Sequence, residues 1–383
     1  MRGDRQAGRR AHRPVLVIGG GAAGIATSAV LREAGLHSIV LDDGERIGAS
    51  WRQRYDRLRL NTCRLTSRVA GTPFPRGTSL FPTRDEFADY LEHCAARHRV
   101  DVRLATRVER IERVDEGWRV QTSAGELAAD DVIIATGYAR EPCIPKWPGR
   151  ERFGGTLLHS ADYRTPRRFR GHEVLVVGAG SSGMEIAHDL AATGAARVRL
   201  SVRTPPNLLL RAVAGLPGDP IAVAMLKLPP RVADAQLSLL RRVVIGDLTA
   251  AGLPAPNEGP FARARRDGAA PAVVDRDVIA AIRERRFDIV AGVERLHATG
   301  AVLADGGHVD TDAIIAATGF RCGLEPIAGH LDVLDACGVP RVLGGEEAAP
   351  GLRFVGFVPL PGLLRRVGVE ARRAEREISR RRA

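Results

Sequence analysis

Val15-Leu16-Val17-Ile18-Gly19-Gly20-Gly21-Ala22-Ala23-Gly24 is the stretch that decides the fold. Four aliphatic residues run straight into G-x-G-x-x-G, an alanine-rich stretch follows to Leu36, and a second apolar run, Ser38 to Leu41, ends in Asp42. That order predicts strand, glycine turn, helix, strand. Glycines so placed let the backbone turn tightly, approach a pyrophosphate and aim the helix N-terminus at it. Asp42, eighteen residues beyond Gly24, falls at the tip of the second strand, where a carboxylate accepts the hydroxyls of an unphosphorylated ribose. A glycine turn alone could serve only to pack a helix on a sheet. With strand, helix and terminal acid all in place, it points to a dinucleotide.

The unit recurs. Val174 to Val177 leads into Gly178-Ala179-Gly180-Ser181-Ser182-Gly183, a helix through Leu190 and Ala192, and a strand from Val198 to Val202 that ends in Arg203-Thr204. A guanidinium in place of the acid suits a 2′-phosphate, so the second site reads as one for NADP. Each copy also closes alike. Val102 to Ile111 leads through a hairpin to Asp131-Val132-Ile133-Ile134-Ala135-Thr136-Gly137-Tyr138, and Ile289 to Leu296 leads to Asp312 and onward to Ala317-Thr318-Gly319-Phe320. Two glycine loops, each followed over a hundred residues later by Ala-Thr-Gly, mark a repeated α/β architecture of two Rossmann-like dinucleotide-binding domains.

Composition narrows the function. The chain has 383 residues, 44% hydrophobic and 27% charged, which is enough for two or three folded domains. Its net charge of +12 comes from arginines spread along the whole chain, with only Lys146 and Lys227 as lysines and 4% aromatics, so nucleic acid is not expected. Positive potential of this kind attracts small phosphates. Cys63, Cys94, Cys143, Cys322 and Cys337 form no C-x-x-C and no metal-ligand spacing, so no metal is expected and a reducing, cytoplasmic compartment is. The stretch from Pro14 to Leu31 behind Arg9-Arg10 and Arg13 imitates a signal or membrane segment, but its glycines belong to the loop.

Elsewhere, Thr83-x-x-Glu86 predicts a capping box. The helix it opens carries Phe87, Tyr90, Leu91, Cys94 and His98 on one face, which makes Cys94 a core residue. Gly71 to Pro82 reads as a surface loop, residues 205–260 as inserted helices and loops, and Leu363 to Arg382 as a docking helix with a solvated basic tail.

Between the two units, Phe153-Gly154-Gly155-Thr156-Leu157-Leu158-His159-Ser160-Ala161-Asp162-Tyr163 matches F-x-G-x-x-x-H-x-x-x-(Y/F). With a glycine loop on either side, it resembles the fingerprint of the flavin-containing monooxygenases, the class B flavoprotein oxygenases. The resemblance spans nearly the whole chain. Related Baeyer-Villiger enzymes usually carry Trp where Tyr163 stands and have a P-G-x-x-x-D element that is absent here. The auxin-forming plant enzymes look similar around Trp51, Tyr55 and Phe81 to Leu91.

The resemblance implies an FAD domain with an inserted NADPH domain: residues 1–165, then 166–312 for NADPH, then 313–383. Gly19, Gly21, Gly24 and Asp42 would hold the ADP half of FAD, and Trp51-Arg52 resembles the G-x-W turn beside the flavin. Val108, Thr136, Gly137, Thr318 and Gly319 join the implied cofactor-binding set. Gly178, Gly180, Ser181, Ser182 and Gly183 would hold the second dinucleotide, with Ser181 where many relatives have Asn, and Arg203-Thr204 resembles the pair on the 2′-phosphate. His159 is implied to support NADP and domain geometry rather than act as a base. Leu58 to Thr62 is similar to the segment whose asparagine, here Asn61, faces flavin and nicotinamide, which makes Asn61 the implied catalytic residue.

The implied reaction uses NADPH, FAD and dioxygen, passes through a C4a-hydroperoxyflavin and gives one oxygen atom to a small organic substrate. An amine, a sulfide, a ketone and a 2-oxo acid all stay open as substrates. A pyridine-nucleotide reductase is disfavoured by the missing C-x-x-C, and a non-catalytic flavin-binding redox sensor is the other alternative. No integral membrane segment is expected, and oligomeric state is open, a homodimer included.

Overall fold

A computed structural model, describing residues 12–267, 271–358 and 362–383, shows two larger sheets, each carrying one glycine loop and parallel except for one antiparallel edge strand in the first. Arg9 and Arg10 lie outside the described residues. The chain begins with β1 (Val15–Ile18), α1 (Ala22–Glu33) and β2 (Ser38–Leu41) and passes α2 (Ala49–Arg52) and α3 (Arg84–Arg97) to β3 (Asp101–Arg103). A meander of β4 (Val108–Val114), β5 (Gly117–Thr122) and β6 (Gly125–Ala129) precedes β7 (Val132–Ile134), and β8 (Glu141–Pro142) leaves the unit.

The second unit holds β9 (Thr156–His159), β10 (Glu173–Val177), α4 (Ser181–Thr193) and β11 (Arg197–Val202). An excursion follows: β12 (Leu208–Leu210), the hairpin β13 (Ala212–Val213) and β14 (Leu216–Pro217), α5 (Asp219–Met225), α6 (Pro230–Val244), α7 (Pro260–Asp267) and β15 (Ala272–Val274). The unit ends with α8 (Arg276–Arg283), β16 (Asp288–Ala291), a meander of β17 (Val293–His297), β18 (Gly300–Leu303) and β19 (His308–Asp310), and β20 (Ala313–Ala316). β21 (Phe320–Arg321) crosses back to α9 (Glu325–Ala328), β22 (Glu347–Ala349), β23 (Leu352–Phe354) and α10 (Leu363–Arg382).

The first sheet has the order β22-β23-β7-β1-β2-β3 and the second β16-β11-β10-β20-β9. In each, the strand before the glycine loop sits between the strand after the helix and the strand ending in Thr-Gly. Those central strands are covered on both faces, which is why they read as unbroken aliphatic runs rather than alternating ones.

Strand pairing moves the expected domain boundaries. Thr156–His159 pairs in parallel with Ala313–Ala316, which pairs with β10, so both segments belong to the second sheet although 165/166 and 312/313 would place them in the first unit. The physical reason is burial: all four residues of Ala313–Ala316 are buried, and pairing with β10 on one side and Thr156–His159 on the other covers both edges of the strand. The chain changes units instead at the antiparallel pair β8–β21.

Two further expectations change. The runs Val102 to Ile111 and Ile289 to Leu296 are each split, the first half joining the parallel sheet and the second starting a meander. Residues 205–260 are not helices and loops alone, because Leu208–Leu210 pairs in parallel with Ala272–Val274.

The Thr83 capping box forms as read, with both reciprocal bonds made. Cys94 is buried on the inner face of α3, where burial pushes its thiol up to about 11. Helix α10 packs on α1 through Val367, Ala371, Ala374 and Ile378. Its end is not a solvated tail: Arg381 and Arg382 reach the fully buried Asp131 at the foot of β7, which Arg353 also contacts at 3.3 Å.

Candidate functional site

The two loops have the same geometry. Gly19 and Gly178 sit at φ of 105° and 113°, a conformation open to glycine and closed to most L-residues. A Cβ on Gly24 would lie 1.8 Å from the Gly19 carbonyl oxygen, and one on Gly183 would lie 1.8 Å from that of Gly178, so these third glycines let helix and turn touch. The middle glycines differ in kind. A Cβ on Gly21 or Gly180 would meet no protein atom within 4 Å. Both are N-caps of helices that have no side-chain cap and no acid in the first turn, which leaves the helical N–H groups and the positive end of each dipole open to an anion.

Asp42 stands one residue past β2 and bends back on the first loop. Its carboxylate accepts from Gly20 N–H at 2.5 Å and from Gly44 N–H at 2.9 Å, while its backbone carbonyl accepts from Thr106 N–H at 2.8 Å. That contact brings the turn before buried Val108 to the rim of the loop. The Thr136 Cα lies 3.0 Å from a Cβ built on Gly19, and its hydroxyl is buried with no partner. Gly137 follows at φ 76° with open space on its Cβ side. Trp51 packs edge-on against Phe87 at 4.6 Å, and Arg52 reaches Asp89 and Glu92 on α3 at 2.6 and 3.3 Å, with its Nε buried and unpartnered.

In the second loop Ser181 Oγ accepts from Val273 N–H at 2.9 Å, which ties the start of α4 to β15. Arg203 and Thr204 are exposed at the tip of β11, the position that Asp42 holds after β2, and Arg203 has no carboxylate partner among the described residues. Thr318 donates to the Cys143 carbonyl, and Gly319 at φ 86° presents its carbonyl to His159 Nε2 at 2.9 Å.

His159 is buried, and burial holds its pKa below the usual histidine value. Its Nδ1 accepts from Ala161 N–H at 3.0 Å, so the ring proton resides on Nε2 and donates to Gly319. With both nitrogens committed, His159 braces the seam at the end of the second Ala-Thr-Gly segment and has no free nitrogen for base catalysis.

Asn61 is exposed, and its Oδ1 accepts from Arg211 Nη2 at 3.4 Å. Arg211 is a residue that sequence reasoning missed. It is buried at the end of β12 and also contacts Glu185 on α4 and Asp275 before α8. Tyr55 Oη donates to Glu185 at 2.6 Å. Burial pushes the Glu185 carboxyl up while Arg211 pulls it back, and burial together with the Glu185 charge raises the Tyr55 phenol. Only an acid two places beyond the glycine loop, on a face otherwise apolar, could have signalled this cluster.

Comparison with known proteins adds a second kind of observation. Residues 16–208 match the sequence model of the pyridine nucleotide-disulphide oxidoreductase family. Over 354 residues the chain is 34% identical to a probable indole-3-pyruvate monooxygenase of Arabidopsis thaliana, YUCCA1, covering 90% of this chain and 85% of that one. The chain belongs to the class B flavin monooxygenases. A flavin-containing monooxygenase from Stenotrophomonas maltophilia shares the fold at a TM-score of 0.75 and 26% identity, covering 97% of this chain and 99% of that one. The structure of OTEMO in complex with FAD and NADP has the same fold at a TM-score of 0.72 and 20% identity, over 96% of this chain and 84% of that one. Membership makes this flavin monooxygenase an FAD- and NADPH-dependent oxidoreductase. No helix among the described residues is long and apolar enough to cross a membrane.

Proposed function

We propose that the first loop holds FAD, that the second holds NADPH, and that the substrate oxygenated is a 2-oxo acid. The observation that carries the cofactor assignment is the contrast between the middle and third glycines. Gly21 and Gly180 leave an open cradle at a helix N-terminus, whereas Gly24 and Gly183 are closed by their own loops. The residues present fit the two dinucleotides. Asp42 would meet an unphosphorylated ribose, Thr136 abuts Gly19 of the first loop with Gly137 next to it and Val108 buried behind the neighbouring turn, and Arg203, without a carboxylate partner among the described residues, would with Thr204 meet a 2′-phosphate. Thr318-Gly319 and His159 brace the end of the second Ala-Thr-Gly segment, where they would support the second dinucleotide.

When bound, FAD reduced by NADPH supplies the activation of dioxygen. The protein's share is placement and water exclusion. Trp51, packed on Phe87, and Arg52, anchored on α3, form a rigid wall beside the first loop. Asn61 presents a neutral amide that donates and accepts at once without offering an acidic proton. His159, neutral and fully hydrogen-bonded, keeps the second Thr-Gly turn in register.

The substrate class rests on the relatives that share a third of this sequence over most of both chains and are named indole-3-pyruvate monooxygenases. Arg54 supports it. This half-buried cation at the unit boundary lies 4.7 Å over the Phe320 ring, donates to the Ala139 carbonyl at 3.5 Å and has no carboxylate partner among the described residues. A 2-oxo acid brings the missing carboxylate. The balanced reaction converts a 2-oxo acid, dioxygen, NADPH and a proton into the carboxylic acid one carbon shorter, carbon dioxide, water and NADP. All five cysteines are free, which supports a reducing cytoplasmic setting.

The test offers aryl-2-oxo acids, thioethers and tertiary amines to the FAD-loaded enzyme with NADPH in labelled dioxygen. Labelled acid one carbon shorter, with carbon dioxide, is the expected outcome. Turnover of thioethers or amines alone would overturn the substrate class.

A further inference from the structure

The Tyr55–Glu185–Arg211–Asn61 cluster joins three distant parts of the chain in one chain of contacts that runs from a buried core to the exposed Asn61. Tyr55 and Asn61 come from the first unit, Glu185 from the helix of the second loop, and Arg211 from the β12–β15 excursion, where Asp275 takes its other nitrogen. The Arg211 and Glu185 side chains are 2% and 4% exposed. Stability alone is a poor explanation for such a pair, because desolvating two charges offsets most of their attraction and an apolar pair of the same volume often does as well. What a buried ion pair does supply is fixed geometry. The guanidinium is a planar fork, and with Glu185 on one prong and Asp275 on the other it has one orientation available. In that orientation Nη2 is shared between Glu185 and the exposed amide of Asn61.

We propose that Glu185 is a positioning residue for Asn61: its carboxylate, held by the Tyr55 hydroxyl, sets the Arg211 fork, and the fork holds the Asn61 amide at the junction of the two dinucleotide units. The proposal rests on the reading above that Asn61 faces the bound cofactors. It assigns the junction a means of coupling. Glu185 sits on α4, whose N-terminus meets the second dinucleotide, so a shift of that helix is passed through Arg211 to the amide beside the first. A second tyrosine–carboxylate bond, from Tyr163 Oη to Asp189 at 2.9 Å, grips the same helix one turn later. Its ring packs 6.1 Å from that of Tyr55, but no described hydrogen bond links it to Glu185 or Arg211, so deleting its hydroxyl is a control for the hydrogen-bonded path alone.

The experiment is a double-mutant cycle on the FAD-loaded protein. Glu185→Gln preserves shape and an acceptor for Tyr55 but removes the charge that orients Arg211, Arg211→Lys preserves charge but removes the fork, and Asn61→Ala removes the amide. Four readouts are taken: the fraction of NADPH electrons recovered as hydrogen peroxide, the change in the bound flavin's visible spectrum on adding NADP, the dissociation constant of FAD, and the urea midpoint.

Each single variant is expected to raise the peroxide fraction several-fold and to alter the NADP-induced spectrum in the same way, with FAD affinity within about twofold of wild type. The double variant Glu185→Gln with Asn61→Ala should be no worse than Asn61→Ala alone, since residues that act through one another are not additive. Tyr163→Phe should lower the urea midpoint and leave the peroxide fraction unchanged. Additive effects in the double variant, or a Tyr163→Phe peroxide rise equal to that of Glu185→Gln, would overturn the relay and reduce the cluster to a clamp between units. An Asn61→Ala protein with wild-type peroxide yield and spectrum would overturn the reading of Asn61 and the relay together, whereas an effect of Asn61→Ala with none from Glu185→Gln sinks the relay alone. Tyr55→Phe, which deletes one hydroxyl, stands in if Glu185→Gln fails to fold, with a smaller rise expected and no rise counting against the proposal.

Discussion

Alanine at Gly21 separates what the first loop does for the fold from what it does for a ligand. The backbone there is extended, at φ −75° and ψ −169°, so alanine adopts it without strain. The added Cβ meets no protein atom within 4 Å, so the unfolding free energy of the cofactor-free protein should stay within about 0.5 kcal/mol of wild type. A dinucleotide seated on the α1 N-terminus occupies that open space, and forcing a methyl group into a filled contact costs about 1–3 kcal/mol. The dissociation constant of FAD should therefore rise about 5- to 150-fold.

Gly24→Ala is the counterpart. Its Cβ would stand 1.8 Å from the Gly19 oxygen, so helix and turn must part and stability should fall along with affinity. Urea unfolding of deflavinated protein and titration of FAD by fluorescence quenching measure the two quantities separately. If Gly21→Ala binds FAD as wild type does, or loses affinity only in proportion to lost stability, the cradle reading is wrong.

Arg203→Ala should raise the Michaelis constant for NADPH about 10- to 100-fold, from the loss of about 1.5–3 kcal/mol of charge-assisted contact, and leave that for NADH nearly unchanged; equal losses would make Arg203 a fold residue. Burial holds the His159 pKa below 6.5, so the unfolded chain binds a proton first and stability drains away as pH falls from about 7.5 toward 5.5. His159→Gln should show a smaller drop in melting temperature between those two pH values, and an identical drop would refute the assignment. Removing Arg381 to Ala383 takes two of three guanidiniums from buried Asp131 and should cost about 1–3 kcal/mol of unfolding free energy; an unchanged midpoint would show that Arg353 alone suffices.

Both glycine loops, their helices and the acids or arginines at the strand tips were legible because each is local: turn, cap and aliphatic run lie within thirty residues of one another. Partner choice was not. Nothing in Thr156–His159 says that it will pair with Ala313–Ala316 rather than with the first sheet, since four half-apolar residues fit either edge and the decision lies in what covers β10. The C-terminal arginines read as solvated because the acid that holds them is 250 positions away, at the foot of β7. Arg211 was hidden for the same reason. One arginine among many carries no mark of burial until α4 brings Glu185 to meet it.

Because β23 pairs with β7, and α10 lies on α1 with its last turn on Asp131, the first unit needs residues separated from it by the whole of the second. On a ribosome, the usual N-terminal-first order is therefore inverted. The second unit has all its strands once β20 emerges, while β1, α1 and β7 wait for about a sixth of the chain still to be made. In that interval the flank of β7 is an unpaired edge with aliphatic faces, the kind of surface that seeds aggregation. FAD, by binding at α1, would favour the completed unit over the waiting one, so flavin supply during synthesis should govern soluble yield as much as it governs activity.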